Sequence, residues 1–123
     1  MKTIAAIAVA LGIAASPASA FIAFDSYRVD GDASRFMVQY EPGAAARNYW
    51  CAAGDFALRR LNVNPTTPIY RISPKPLPRM TGMMFSLSPE GATDDTGIFV
   101  IPNRGYLSAG FADSLCETRR MKR

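Results

Sequence analysis

Apolar positions along this chain fall into three kinds of pattern: one uninterrupted run, one stretch at helical spacing, and several short alternating segments. The run comes first. Residues 4–15 carry no charge, Lys2 stands before them, and Ala18-Ser19-Ala20 closes them with a small-x-small triplet. That order is the one a secretory signal peptide shows. The run is also short of the roughly 20 apolar residues that a hydrocarbon core about 30 Å thick demands. Residues 1–20 therefore read as a cleaved signal, with a mature chain beginning at Phe21. Position 21 is not Cys, so the residue that acylation of a lipoprotein requires is missing. No transmembrane anchor is expected after cleavage.

Residues 21–29 are rich in aromatic and β-branched side chains, and Phe36, Val38 and Tyr40 alternate with polar or flexible neighbours. Asp30-Gly31-Asp32-Ala33 between them is a turn cluster, so the two stretches predict a hairpin. Pro42-Gly43 breaks the pattern. Residues 44–61 then form the one clear helix: Tyr49, Trp50, Ala53, Phe56, Ala57 and Leu61 share a broad side, while Asn48, Asp55 and Arg59 occupy the other. Asp55 and Arg59 make an i,i+4 pair in the favourable direction. Gly54 inside a helix costs about 1 kcal/mol relative to Ala, which points to another element lying close beside Cys51. Asn62 and Asn64-Pro65 stop the helix.

Five prolines follow within residues 64–79, namely Pro65, Pro68, Pro74, Pro76 and Pro78. Residues 69–72 predict a short strand at a sheet edge, where flanking proline is tolerated. Residues 73–79 predict extended chain of polyproline-II character. Residues 81–88 read as a strand with Met83, Phe85 and Leu87 on one face, residues 98–101 as a short apolar strand, and residues 106–111 as a last strand before a turn of helix. One helix packed on an antiparallel sheet of about four to six strands buries both kinds of apolar face. The expected class is α+β in the order ββα then strands, as a single domain over residues 21–118 with a basic tail at 119–123.

Cysteine and charge sharpen this picture. Cys51 and Cys116 are the only two cysteines, and an exported two-cysteine chain most simply carries one disulfide. Closing so long a loop is worth about 4 kcal/mol by loop entropy, a large fraction of what a small domain has. With no His in the chain, the cysteines do not make a usual zinc site, and they lack C-x-x-C spacing. The mature chain has thirteen Lys and Arg against ten Asp and Glu, and four of the thirteen are Arg119, Arg120, Lys122 and Arg123. The basic surplus thus belongs to the tail. It is either a solvated end or a weak attractor of anionic lipid, polysaccharide or an acidic partner.

The helix segment Tyr49-Trp50-Cys51-Ala52-Ala53-Gly54-Asp55, with the signal peptide and a late strand region, resembles a group of small, uncharacterised exported proteins of alphaproteobacteria. The resemblance implies a bacterial envelope protein, periplasmic or secreted, and brings no activity with it.

The residues offer little chemistry. Absence of His excludes Ser-His and Cys-His nucleophiles, and Ser108 lacks the first glycine of a nucleophile elbow. A Ser-Lys dyad would depend on Lys75, in a proline run that makes a poor platform. Asp94 and Asp95, with Asp55, could divide acid and base work in a small hydrolase, although adjacent Asp residues are ordinary turn formers. Met80, Met83 and Met84 could hold Cu(I), although thioethers also fill cores. The reading that the residues favour is a non-catalytic exported protein that binds an envelope protein or an anionic envelope component. Pro74, Pro76, Pro78, Arg119 and Arg120 are its candidate contacts, and neither nucleic acid nor a cofactor is called for. A copper carrier and an Asp94/Asp95 hydrolase are the alternatives.

Overall fold

The computed structural model describes residues 21–74 and 77–116. The signal segment, Lys75, Pro76 and the basic residues Arg119 and Arg120 lie outside the described residues. The elements are β1 (Phe21–Ile22), a 3-10 turn (Phe24–Ser26), β2 (Arg28–Gly31), β3 (Phe36–Val38), α1 (Ala46–Arg59), β4 (Pro68–Arg71), β5 (Met83–Ser86), β6 (Leu107–Ser108) and α2 (Ala109–Ser114). The strands form one antiparallel sheet in the order β1-β2-β3-β5-β4-β6. The class is α+β.

Register explains the core. Val29 pairs with Val38 and Val38 with Met83; Phe36 pairs with Phe85 and Phe85 with Arg71. Because side chains alternate across a strand, these two rows share the face that meets α1, and all of them are buried. Phe36 lies 4.9 Å from Phe56 between ring centres, and Trp50 lies 4.7 Å from Phe85 edge-on. The opposite face carries the half-buried Met37–Met84 pair.

α1 is buried continuously from Tyr49 to Ala57. A helix lying on one sheet keeps a polar stripe; this one does not, because α2 covers its second side. At Gly54 an added Cβ would stand 2.5 Å from Asp113 N and 2.9 Å from Ala112 Cβ, so glycine is what lets the helices meet. Cys51 and Cys116 are disulfide-bonded beside that crossing, with Cα atoms 5.1 Å apart. Asn48 Oδ1 accepts from Ala45 N at the start of α1. At its end Asn62 adopts φ +57°, and Val63 N returns to Ala57 O. The start of α2 is held by the proline segment: Ala109 N donates to Thr67 O and Gly110 N to Pro65 O, both 2.8 Å.

Four expectations need correction. Residues 21–29 are not one strand; the turn at Phe24–Ser26 folds β1 back on β2, with Ser26 at φ +70°. β4 is no edge strand, since β6 flanks it. Residues 98–101 form no strand. Gly97 at φ +87° turns the chain. Thr96 Oγ1 donates to Ile98 O and accepts from Ile98 N, both 3.1 Å, occupying groups a ladder would need. Finally, residues 106–111 give a two-residue strand and then a helix, because Ser108 Oγ caps it by accepting from Phe111 N.

Candidate functional site

Three polar or apolar constellations stand out, and the first is structural. Arg71 follows Phe85 in the core row and is only 2 % exposed. Its Nε donates to Ser73 O (2.9 Å), one terminal nitrogen to Pro74 O (2.8 Å) and the other to Thr96 O (3.3 Å). Trp50 Nε1 donates to the same Thr96 carbonyl at 2.9 Å, and Arg71 O accepts from Thr93 N at 2.9 Å. Burial pushes the guanidinium below its ordinary range, and the charge of Asp95 works against that fall. A planar fork that bonds several carbonyls at once thus ties residues 93–97 to the core.

The second lies where α1, α2 and the 3-10 turn meet. Asp55, expected on the outer side of α1, is buried. Its carboxylate accepts from Phe24 N (2.8 Å) and takes both ends of Arg59, Nε at 2.6 Å and Nη2 at 2.8 Å. The expected Asp55–Arg59 pair is therefore present, and it raises the Arg59 pKa. Arg59 and Arg60 also sit 5.1 and 5.9 Å from the Phe21 ring centre, cation–π distances. A cavity of about 260 Å³ opens here, lined by Phe24, Asp55, Leu58, Arg59, Asp113 and Cys116. Asp113 was not foreseen; only the contact of α2 with α1 brings it beside Asp55.

The third is a surface ridge at residues 98–102, directly after the loop that Arg71 holds. Phe99 is 87 % exposed and Ile101 81 %, against full burial of comparable side chains in the core. Depressions flank it. One of about 400 Å³ is lined by Asp95, Gly97, Ile98, Phe99, Val100 and Asn103. The other, about 390 Å³, runs from Ile101 to the β6–α2 junction, and Arg104, Tyr106, Leu107 and Phe111 are among the residues that line it. Sequence reasoning placed these apolar residues in a sheet; the signal that corrects it is Thr96-Gly97 before them and Pro102 after.

Asp94 and Asp95 are exposed in the loop before the ridge. Asp95 Oδ1 accepts from Gly97 N at 2.9 Å, which is turn chemistry, and among the described residues Asp95's depression holds no second carboxylate. Asp55 lines a different cavity. Met83 is buried in the core row, Met84 lies on the opposite face, and Met80 is exposed in a turn, so β5 does not gather the three. Pro74 and Pro78 are exposed. Among the described residues no group of three or more His, Cys, Asp or Glu is placed to hold a metal ion, and no helix is long and apolar enough to cross a membrane.

Comparison with family models, curated proteins and solved structures finds no match.

Proposed function

We propose that this chain is a non-catalytic exported protein of the cell envelope whose ridge at residues 98–102 contacts an envelope component. The supporting observation is the pair Phe99 and Ile101. They are the two most exposed large apolar side chains among the described residues and stand two positions apart, and exposed apolar groups gathered at one place mark interaction surfaces. Export is supported by the signal-like residues 1–20 and by the Cys51–Cys116 disulfide, since disulfides persist in oxidising compartments. The alphaproteobacterial resemblance agrees with a periplasmic or secreted location.

A photoreactive phenylalanine analogue at Phe99 tests this. Crosslinking in the intact envelope is expected to yield discrete adducts from position 99 and none from the exposed control position Ala45. Equal, diffuse labelling from both would remove the ridge as a contact.

A further inference from the structure

We infer that the partner of the ridge is an extended, acidic peptide segment that lies along the open edge of β6, in the depression that Ile101 and Arg104 line. The inference rests on the reading that the ridge contacts an envelope component, and it names the chemistry of that component.

Main-chain geometry is the first reason. β6 ends the sheet, with β4 on one side and no strand among the described residues on the other. Opposed residues of an antiparallel ladder alternate between pairs that exchange hydrogen bonds and pairs that do not. Ala109 N donates to Thr67 O at 2.8 Å, which puts the next pair, Ser108 and Pro68, in the non-bonded position. Pro68 has no N–H to offer there. Ser108 N–H therefore points away from β4. The same alternation turns both main-chain groups of Tyr106 outward, and its ring lies 5.4 Å from that of Tyr70, as side chains facing each other across a non-bonded pair do. Among the described residues no hydrogen bond takes Ser108 N–H, Tyr106 N–H or Tyr106 O. An edge with such open groups is a template for a further extended chain.

The lining of the depression is the second reason. Tyr106, Leu107 and Ser108 all line it. Successive residues of a strand point to opposite faces, so a depression that reaches all three meets the strand along its edge and not over one face. Val100, Ile101 and Pro102 of the ridge line it as well, and they offer apolar surface to alternate side chains of an added strand. Arg104 is the one charged side chain among the described lining residues, and it forms no ion pair among the described residues. A guanidinium takes a carboxylate through two parallel hydrogen bonds, so the matching group on the incoming segment is an Asp or Glu side chain. The depression on the other flank of the ridge is lined by Asp95 and by no residue of a strand. Charge and main chain thus select the same side of the ridge.

NMR titration of the full oxidised chain with an acetylated peptide of alternating valine and glutamate tests the inference. Saturable shifts are expected at the Tyr106 and Ser108 amides, with slower hydrogen exchange at both. The fully N-methylated form of the peptide, which cannot add to a strand edge, should leave both amides unmoved. Lysine in place of glutamate in the peptide, or Arg104→Gln in the protein, should weaken binding about fivefold. Unchanged Trp50 emission shows that the variant is folded. Absence of saturable shifts at the two amides, equal affinity of the N-methylated peptide, or unchanged affinity of the Arg104→Gln variant overturns the inference. If position 99 still crosslinks to a discrete envelope protein while the peptide leaves both amides unmoved, the strand-edge assignment falls and the broader reading stands; if position 99 gives no adduct either, both fall.

Discussion

Gly54 of α1 and Asp113 of α2 are packed backbone to backbone, with room for a hydrogen and not for a methyl group. Helix propensity alone would make Gly54→Ala stabilising by about 1 kcal/mol. The contact reverses that sign. An added Cβ forces the helices apart and disturbs the adjacent disulfide, so a net loss of about 1–3 kcal/mol is expected, the usual cost of overpacking. Urea unfolding of the oxidised protein measures it, and a raised midpoint would show that the helices tolerate more separation than the structure has.

The bridge next to that contact should be present in the exported protein. Intact mass is expected to start at Phe21 and to fall two hydrogens short of the reduced chain. Cys51→Ser should lower stability by about 2–5 kcal/mol. Two free thiols in the native protein, or an unchanged unfolding midpoint in the variant, would contradict this.

Arg71 carries a prediction about the loop rather than the whole fold. Arg71→Met keeps most of the packing stem and removes the fork from Ser73 O, Pro74 O and Thr96 O. A loss of about 2–3 kcal/mol is expected, because the Ser73 and Pro74 carbonyls lose this donor while Thr96 O keeps only Trp50 Nε1. Arg71→Lys should recover only part, because an ammonium does not span three carbonyls in one plane. Trp50 is the only tryptophan and shares the Thr96 carbonyl, so its emission should shift in both variants. Faster hydrogen exchange at Thr93 and Gly97 is the second readout. Parent-like emission and exchange in the Met variant would rule out the staple.

The β2–β3 turn should respond to acid. Asp32 Oδ1 accepts from Ser34 Oγ (2.7 Å), Ser34 N (3.0 Å) and Arg35 N (3.3 Å), and these bonds, the Ser34 hydroxyl first, hold its pKa below the ordinary 3.8. Its folded-state value is lower than its unfolded one. The turn is therefore favoured above pH 3.8 and loses that support as pH falls through the lowered value. Amide shifts of Ser34 and Arg35 followed by NMR are expected to titrate with a midpoint under 3.8; a midpoint at or above it would refute the arrangement.

What could be read beforehand was local or covalent. Tyr49, Trp50, Ala53 and Phe56 repeat at helical spacing, so α1 announced itself. A signal-like start and a cysteine count of two point to Cys51–Cys116, and Gly54 signals a close neighbour without saying which. The rest depended on long-range pairing. Nothing near Asp55 in sequence says that α2 covers it, and nothing near Ile69 says that β6 will flank β4. The ridge was misread for a more instructive reason. Residues 98–101 have strand composition, but one hydroxyl on Thr96 and one positive φ at Gly97 redirect their hydrogen bonds. Composition averages over a segment; a single competing bond does not.

The position of α1 between a sheet and a second helix sets an order on biosynthesis. Trp50 finds its carbonyl partner 46 residues later in the chain, and Cys51 its sulfur partner 65 residues later. When α1 leaves the ribosome, β4, β5, β6 and α2 have not yet emerged behind it. Such distant partners slow folding. A nascent chain stopped before Ala112 leaves the Gly54 side of α1 open to solvent, so the emerging polypeptide has no way to complete its core early.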